Sequence, residues 1–288
     1  MLILNREVLP MKIEKIYLED FFPKLPEARE KTPLTLYIPD VWQEVDLEQK
    51  FPCTLICPGG GYQWCSEREA EPVALRMVGN GIAAAVINYA CWNQHYPLQM
   101  LQILAAVTYL RRNSGELHID PHKIAVMGFS AGGHAACSAG LFWQDKLAEE
   151  ALDIAHGEDK PDGMILCYPV ITTGEKTHPD SILHLLGENP DPELLEKMSL
   201  EKQVTENAPP AFIWHTAADG LVPVQNSLYL GTSLTEKGIS VEMHIYPYGH
   251  HGLSLCDETV SKPQDIYDAV KYCSEWVPHC IKWIKETM

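Results

Sequence analysis

A serine between glycines is the residue of this chain best suited to chemistry. Residues 128–132 read G-F-S-A-G, which matches the pattern G-x-S-x-G, and they follow the apolar run K-I-A-V-M. That run is typical of a buried parallel strand, and the small residues after it are compatible with a helix. Such a strand-to-helix turn exposes the hydroxyl and places the next backbone N–H at a helix N-terminus. The pattern therefore predicts that Ser130 is a nucleophile rather than part of an ordinary turn.

A serine nucleophile needs a base to accept its proton, and the base needs a carboxylate to orient it. After a turn of this type the order along the chain is serine, then acid, then histidine. Asp219 meets the first requirement, because it follows the apolar run at 211–216. The alternative role for Asp219 is to cap the helix predicted after it. Asp257 is the main competitor, but it comes after the candidate histidines and so has the wrong order.

Two adjacent histidines follow the last predicted strand. They are His250 and His251, after the apolar run at 241–246. Neighbouring side chains point in different directions, so one of the two is expected to reach the serine. We favour His251, because Gly252 completes a tight His-Gly turn. His250 remains the alternative base.

A carbonyl under attack becomes an oxyanion and needs donors that are already in place. Residues 58–61 read P-G-G-G after a short apolar run, and glycines let the main chain approach a substrate closely. The backbone N–H groups of Gly60, Gly61 and Ala131 are the candidate oxyanion donors. A phosphate cradle is the alternative for a glycine run, but neither G-x-x-x-x-G-K-[ST] nor G-x-G-x-x-G is present.

The elements that would position these residues alternate between strand and helix. Strands are predicted at 12–20, 34–39, 54–57, 82–89, 123–127, 163–168, 211–216 and 241–246. Helices are predicted at 68–80, 97–112, 133–141, 222–237 and 265–285. This alternation predicts an α/β fold with a mainly parallel sheet of about eight strands and helices on both faces. Ligands bind beyond the carboxyl ends of such strands, where every candidate residue falls.

The organisation of the chain is predicted to be simple. The 288 residues contain no internal repeat or Ser/Gly linker, which favours a single domain over 1–288. The stretch 172–209 is polar, punctuated by prolines and longer than a normal connection, so it is a candidate for a small cap or a pocket wall.

Composition limits the classes of binding partner and the cellular compartment that we expect. The net charge of −17 disfavours nucleic acid and anionic membranes, and no apolar run is long enough to span a bilayer. The start of the chain lacks the features of a signal peptide. No C-x-x-C or zinc-type spacing accompanies the nine cysteines, so we expect no metal and a reducing compartment, most simply the cytoplasm. Four cysteines within apolar runs are expected to be small buried hydrophobes: Cys53, Cys57, Cys137 and Cys167.

With these residues in place, the chain resembles the α/β-hydrolase esterase/lipase family, and more narrowly its bacterial acetyl-esterase and acetylxylan-esterase-like branch. The matching stretches are C-P-G-G-G-Y at 57–62, S-E-R-E-A-E-P at 66–72, G-F-S-A-G-G-H at 128–134, W-H-T-A-A-D at 214–219 and H-G at 251–252. One departure is Pro58, where many esterases have a histidine that orients the glycine loop.

The resemblance implies the α/β-hydrolase fold, no cofactor, and the triad Ser130, Asp219 and His251. It also implies a serine carboxylesterase that cleaves short-chain esters, acetyl esters foremost, through an acyl-enzyme. Acetylated xylo-oligosaccharides are among the implied substrates. Four aromatic side chains are candidates for a sugar-binding face or an acyl wall, with ordinary packing as the alternative: Tyr62, Trp64, Trp92 and Tyr168.

Two other functions are compatible with these residues. The same triad serves peptidases, although the chain is too short for the accessory propeller domain of one such group. A non-catalytic binding protein is the third reading, and such proteins tend to lose a triad member. The sequence leaves assembly into a homo-oligomer open.

Overall fold

Eight strands form one sheet in the computed structural model, which describes residues 11–265 and 268–288. In chain order the strands are β1 (Lys12–Tyr17), β2 (Pro33–Ile38), β3 (Phe51–Cys57), β4 (Ala83–Ile87), β5 (Ile119–Phe129), β6 (Gly163–Cys167), β7 (Ala211–Thr216) and β8 (Val241–Tyr246). In the sheet they lie in the order 1-2-4-3-5-6-7-8. Only the pairs that include β2 are antiparallel. The predicted mainly parallel sheet of about eight strands is confirmed.

Helices cover both faces of the sheet. In the described part of the chain they are α1 (Glu71–Val78), α2 (Leu98–Arg112), α3 (Ala131–Phe142), α4 (Lys146–Leu152), α5 (Pro179–Leu186), α6 (Pro192–Lys197), α7 (Gln225–Glu236), α8 (Asp268–Cys273) and α9 (Trp276–Glu286). None of the helices in these ranges is long and apolar enough to cross a membrane.

Two hydrophobic cores lie on opposite faces, because side chains alternate along each strand. One core packs β-strand residues such as Leu55 against α2, α3 and α7. The other packs residues such as Ile56 against α1 and α9, whose Trp276 stacks on Trp214 of β7 at 5.2 Å between ring centroids. β5 lies in the middle of the sheet between β3 and β6, so the turn after it is held from both sides. The four cysteines predicted to be buried are buried.

Some predicted elements differ from the structure. The helix expected at 265–285 is two helices, since α8 ends at Cys273 and the hydroxyl of Ser274 donates to the carbonyl of Lys271. Two residues of that range, 266 and 267, lie outside the described part of the chain. The strand expected to reach residue 20 stops at Tyr17, where a 3-10 turn begins. The pattern gave no signal for α4.

The irregular stretch 172–209 contains α5, α6 and a 3-10 turn at Leu200–Lys202. Proline stands at the first position of both helices, where its fixed φ suits a helix start. Asp191 caps α6, because its carboxylate accepts from the N–H of Glu193. α5 carries side chains that reach the site described next.

Candidate active site

The serine turn begins where β5 ends, and its backbone is strained. Ser130 has φ of 54° and ψ of −121°, a conformation that side-chain-bearing residues rarely adopt. Glycines on both sides make the turn feasible. A Cβ atom on Gly128 would lie 2.1 Å from the carbonyl oxygen of Gly132, and one on Gly132 would lie 2.2 Å from that of Cys57. The fold therefore requires this glycine pattern wherever the serine is presented in this way.

The three residues predicted as a triad lie together at the carboxyl ends of β5, β7 and β8. Nε2 of His251 lies 2.7 Å from Oγ of Ser130, and Nδ1 of His251 lies 2.6 Å from Oδ2 of Asp219. A carboxylate only accepts, so Nδ1 carries the proton and Nε2 is left to accept from the serine hydroxyl. The geometry is that of a nucleophile, a base and an orienting acid.

Asp219 is held in place by four donors. Its Oδ1 accepts from the N–H groups of Leu221 and Val222, each at 2.9 Å, and its Oδ2 faces His215 as well as His251. Burial disfavours the charged form, but the hydrogen bonds from the two histidines outweigh it and hold the pKa of Asp219 well below its usual range. Asp219 does not cap α7, which begins six residues later at Gln225.

The competing residues lie elsewhere. His250 is exposed, and its Nδ1 lies 2.7 Å from the carbonyl oxygen of His251. Asp257 forms an ion pair with Arg76 at 2.7 Å. Neither has a hydrogen bond to Ser130 or Asp219 among the described residues.

The glycine loop after β3 lies against the serine turn. Gly60 and Gly61 have φ of 128° and 64°, and a Cβ atom on Gly60 would lie 2.1 Å from the carbonyl oxygen of Trp64. Within residues 11–265 and 268–288, the N–H groups of Gly60, Gly61 and Ala131 have no protein acceptor, so they are open to a ligand. The N–H of Gly59 is not, because it donates to Oε2 of Glu69 at 2.8 Å.

The side chain of Tyr89 supports the glycine loop from another segment of the chain. The hydroxyl of Tyr89 donates to the carbonyl oxygen of Pro58 at 2.6 Å. The loop is also closed by the N–H of Ser66, which donates to the carbonyl oxygen of Gly59 at 2.9 Å. With proline at position 58, the loop is therefore supported by Tyr89 and Ser66.

A cavity of about 600 Å³ opens in front of the serine. Its lining includes Ser130, His251, Trp64, Arg68, His178 and His184. The last two come from the 172–209 stretch, with His184 on α5, so this stretch forms one wall. A larger cavity of about 1120 Å³ lies between β2 and α1, but its lining contains none of the triad residues. The smaller cavity is the candidate site, because Ser130 and His251 both line it.

The four candidate aromatic residues divide into two pairs. Trp64 lines the cavity and is 57% exposed. Trp92 is also exposed but is not among the lining residues, and its ring lies 5.9 Å from that of His184, which is one of them. Tyr62 and Tyr168 are buried. For these two the structure corrects the expectation of an aromatic face open to a ligand.

The buried tyrosines hold two polar residues, His134 and Glu69, inside the fold. The hydroxyl of Tyr62 bonds to Nδ1 of His134 at 2.8 Å, behind the serine turn, and that of Tyr168 donates to Oε1 of Glu69 at 2.6 Å. Burial lowers the pKa of His134 to about 4. Glu69 belongs to the matching stretch 66–72, but the sequence does not show that its carboxylate turns inward.

A second group of polar side chains lies away from the triad. Glu242 and His244 of β8 and His279 of α9 bring candidate metal-ligating atoms within 4.8 Å of one another. Nε2 of His244 already bonds to the Glu242 carboxylate at 2.9 Å.

Comparison with known proteins assigns the chain to a family. The family model BD-FAE matches residues 39–234, more than half of the sequence. The chain belongs to the BD-FAE family. The BD-FAE chain is 41% identical over 213 residues to endo-1,4-beta-xylanase B of Butyrivibrio fibrisolvens, covering 73% of this chain and 33% of that protein. It is 30% identical over 204 residues to the acetylxylan esterase of Xylanibacter ruminicola, covering 69% and 40%.

The BD-FAE chain thus spans between a third and two fifths of the length of these two curated relatives. The crystal structure of an acetyl ester-xyloside bifunctional hydrolase from Caldicellulosiruptor lactoaceticus matches with a TM-score of 0.84 and 35% identity, covering 98% of both chains. The predicted α/β-hydrolase fold and the resemblance to acetyl esterases are confirmed.

Proposed function

We propose that this chain is a serine carboxylesterase that hydrolyses short-chain esters, acetyl esters foremost, through an acyl-enzyme. The observation that carries the proposal is the continuous hydrogen-bonded chain from Ser130 through His251 to Asp219, with distances of 2.7 and 2.6 Å, beside open backbone N–H groups. A serine hydroxyl without this chain is a poor nucleophile at neutral pH.

In the acylation step Oγ of Ser130 attacks the ester carbonyl while Nε2 of His251 accepts the hydroxyl proton. The carbonyl oxygen becomes an oxyanion, and the N–H groups of Gly60, Gly61 and Ala131 are the donors positioned to hold it. One such donor is worth about 2.7–4 kcal/mol in the transition state. The imidazolium then gives its proton to the leaving alcohol as the ester bond breaks.

In the deacylation step a water molecule repeats the attack. Nε2 of His251 accepts a proton from the water, the water oxygen attacks the acyl carbon, and the proton returns to Oγ of Ser130 as the acid leaves. The Asp219 carboxylate stays ionised and stabilises the imidazolium in both steps, consistent with its lowered pKa.

The substrate class is proposed from the cavity and the relatives together. The cavity carries both apolar and polar side chains, and the exposed indole of Trp64 offers a flat face of the kind that sugars stack on. Relatives named xylanase B and acetylxylan esterase point to acetylated xylo-oligosaccharides.

Replacement of the nucleophile tests the mechanism. We expect Ser130→Ala to lower kcat for p-nitrophenyl acetate by at least about 10³-fold and to abolish labelling by a fluorophosphonate probe. Ser138→Ala is the matched control, since that serine lies on α3, which begins directly after Ser130, and its hydroxyl donates to the carbonyl oxygen of Ala135. Turnover by Ser130→Ala above a tenth of the wild-type rate would refute the serine mechanism.

A substrate panel tests the specificity. Acetylated xylo-oligosaccharides should be deacetylated with a higher kcat/KM than p-nitrophenyl esters of long acyl chains. Aminoacyl anilides form the third arm. Faster cleavage of the anilides than of the acetyl esters would favour a peptidase instead.

A further inference from the structure

A buried carboxylate links the glycine loop to the histidine loop. Glu69 ends the 3-10 turn Glu67–Glu69 and is 3% exposed. In the described part of the chain two neutral donors hold it, the N–H of Gly59 at 2.8 Å and the hydroxyl of Tyr168 at 2.6 Å. Burying a carboxylate without a cationic partner is costly, so its presence here calls for a reason other than packing.

The first contact reaches the glycine loop. Gly59 immediately precedes Gly60 and Gly61, whose N–H groups are the open donors of that loop. A Cβ atom on Gly59 would lie 2.7 Å from Oε2 of Glu69 and 3.0 Å from Cβ of Ser130. The carboxylate, the loop and the nucleophile are therefore packed so closely that a shift of the carboxylate moves the loop.

The second contact reaches the histidine loop. Because the Tyr168 hydroxyl donates to Glu69, its oxygen accepts from the N–H of Ser254 at 2.9 Å, three residues after His251. The Tyr168 ring also packs edge-to-face on the His251 imidazole at 5.0 Å between centroids. Burial, together with the neighbouring Glu69 carboxylate, raises the pKa of Tyr168 well above its usual value, so the phenol remains a donor.

We propose that Glu69 is a positioning residue for this hydrolase, which sets the oxyanion donors through Gly59 and the catalytic histidine through Tyr168. The inference rests on the proposed function. Its physical basis is that one carboxylate accepts two hydrogen bonds. Oε2 accepts from the glycine loop that follows β3, and Oε1 accepts from Tyr168, which contacts the histidine loop that follows β8. An aliphatic side chain of the same size would fill the space but orient neither segment.

Glu69→Gln is the direct test, because it keeps the size and removes one acceptor. In the wild type the Gly59 N–H and the Tyr168 hydroxyl both donate to the carboxylate. The amide nitrogen of glutamine must face one of them, so the side chain can no longer accept from both. We expect kcat for p-nitrophenyl acetate to fall about 10- to 100-fold with KM changed less than about threefold, since the displaced donors act on the transition state. Glu67→Gln, an exposed residue of the same 3-10 turn, is the matched control and should keep the wild-type kcat.

Tyr168→Phe separates the two routes. It keeps the hydrogen bond from Gly59 to Glu69 and removes the hydroxyl that connects Glu69 to the N–H of Ser254, and so to the histidine loop. We expect a smaller fall in kcat than for Glu69→Gln, again with little change in KM. This variant also decides the question if Glu69→Gln does not fold, as judged by circular dichroism and thermal unfolding.

The outcomes distinguish this inference from the function it rests on. Loss of turnover in Ser130→Ala with activity in the wild type supports the esterase, and the Glu69 variants are then compared with that wild type. A folded Glu69→Gln with kcat within twofold of wild type would overturn the positioning role, as would a loss expressed only in KM. A wild type that hydrolyses no ester would instead refute the proposed function.

Discussion

Replacing Asp219 by asparagine should disable the site by reversing its hydrogen bond with His251, while Nε2 of His215 keeps the carbonyl oxygen of Val222 at 3.0 Å. Oδ1 of Asp219 accepts from the N–H groups of Leu221 and Val222, which can only donate. The asparagine oxygen is therefore expected to take the Oδ1 place, which puts the NH₂ group where Oδ2 faced His251. That group donates to Nδ1 of His251, so the imidazole proton moves to Nε2 and the histidine can no longer accept from Ser130.

The magnitude follows from the lost base. An orienting acid replaced by its amide costs about 10⁴-fold in kcat when the wrong tautomer forms, or about 5.4 kcal/mol of transition-state stabilisation. The serine, the glycine loop and the cavity keep their places, so KM should change little. The fold should survive as well, because the two backbone N–H groups keep their acceptor.

The assay is steady-state hydrolysis of p-nitrophenyl acetate, together with the rate of fluorophosphonate labelling and circular dichroism. Asp257→Asn is the matched control, since Asp257 pairs with Arg76 and, in the described residues, has no hydrogen bond to His215 or His251. It should retain the wild-type kcat. If folded Asp219→Asn kept more than about a tenth of the wild-type kcat, Asp219 would not be the orienting acid.

Two further predictions concern stability. Gly132→Ala should lower the free energy of unfolding by at least about 1–3 kcal/mol, because its Cβ atom would lie 2.2 Å from a backbone oxygen. Gly115→Ala, with nothing within 4 Å of the new Cβ, should change it by less than about 0.5 kcal/mol in the same urea titration, and equal losses would contradict the steric argument. Burial lowers the pKa of His134 to about 4. Between about pH 6.5 and 4 this histidine is therefore protonated in the unfolded chain but neutral in the folded protein. Stability is full above that window and falls by about 3 kcal/mol as the pH drops through it. His134→Gln keeps an acceptor for the Tyr62 hydroxyl and a donor for the Met198 carbonyl, and its stability should lack this dependence on pH. The measurement is urea titration of both proteins at pH 7 and pH 4.5, and an equal loss of stability in both would contradict the role of His134.

Several features of the fold followed from local patterns. Buried strands such as β4 and β7 are short apolar runs, and the alternation with helices indicated a parallel sheet. The closing helix was predicted as one segment because hydrophobic periodicity continues across Ser274, whereas the break there depends on a side-chain hydrogen bond. Periodicity reports which face is buried and carries little information on where hydrogen bonding stops.

The sequence by itself determined which residues are the candidates for the triad, because chemistry and chain order restrict them so strongly. A serine between glycines after a strand, an acid after β7 and a histidine after β8 leave few alternatives. The structure brings His251 within hydrogen-bond distance of both Ser130 and Asp219, which the sequence could only predict.

Tertiary structure alone decided which polar and aromatic side chains face the cavity. Trp64 and Tyr62 are two residues apart, yet one lies at the cavity and the other is buried on His134. Glu69 looks like an exposed acid of a charged segment, and its inward turn depends on a tyrosine 99 positions away. The physical reason is that exposure and hydrogen-bond pairing arise from contacts between distant segments, which local sequence patterns do not encode.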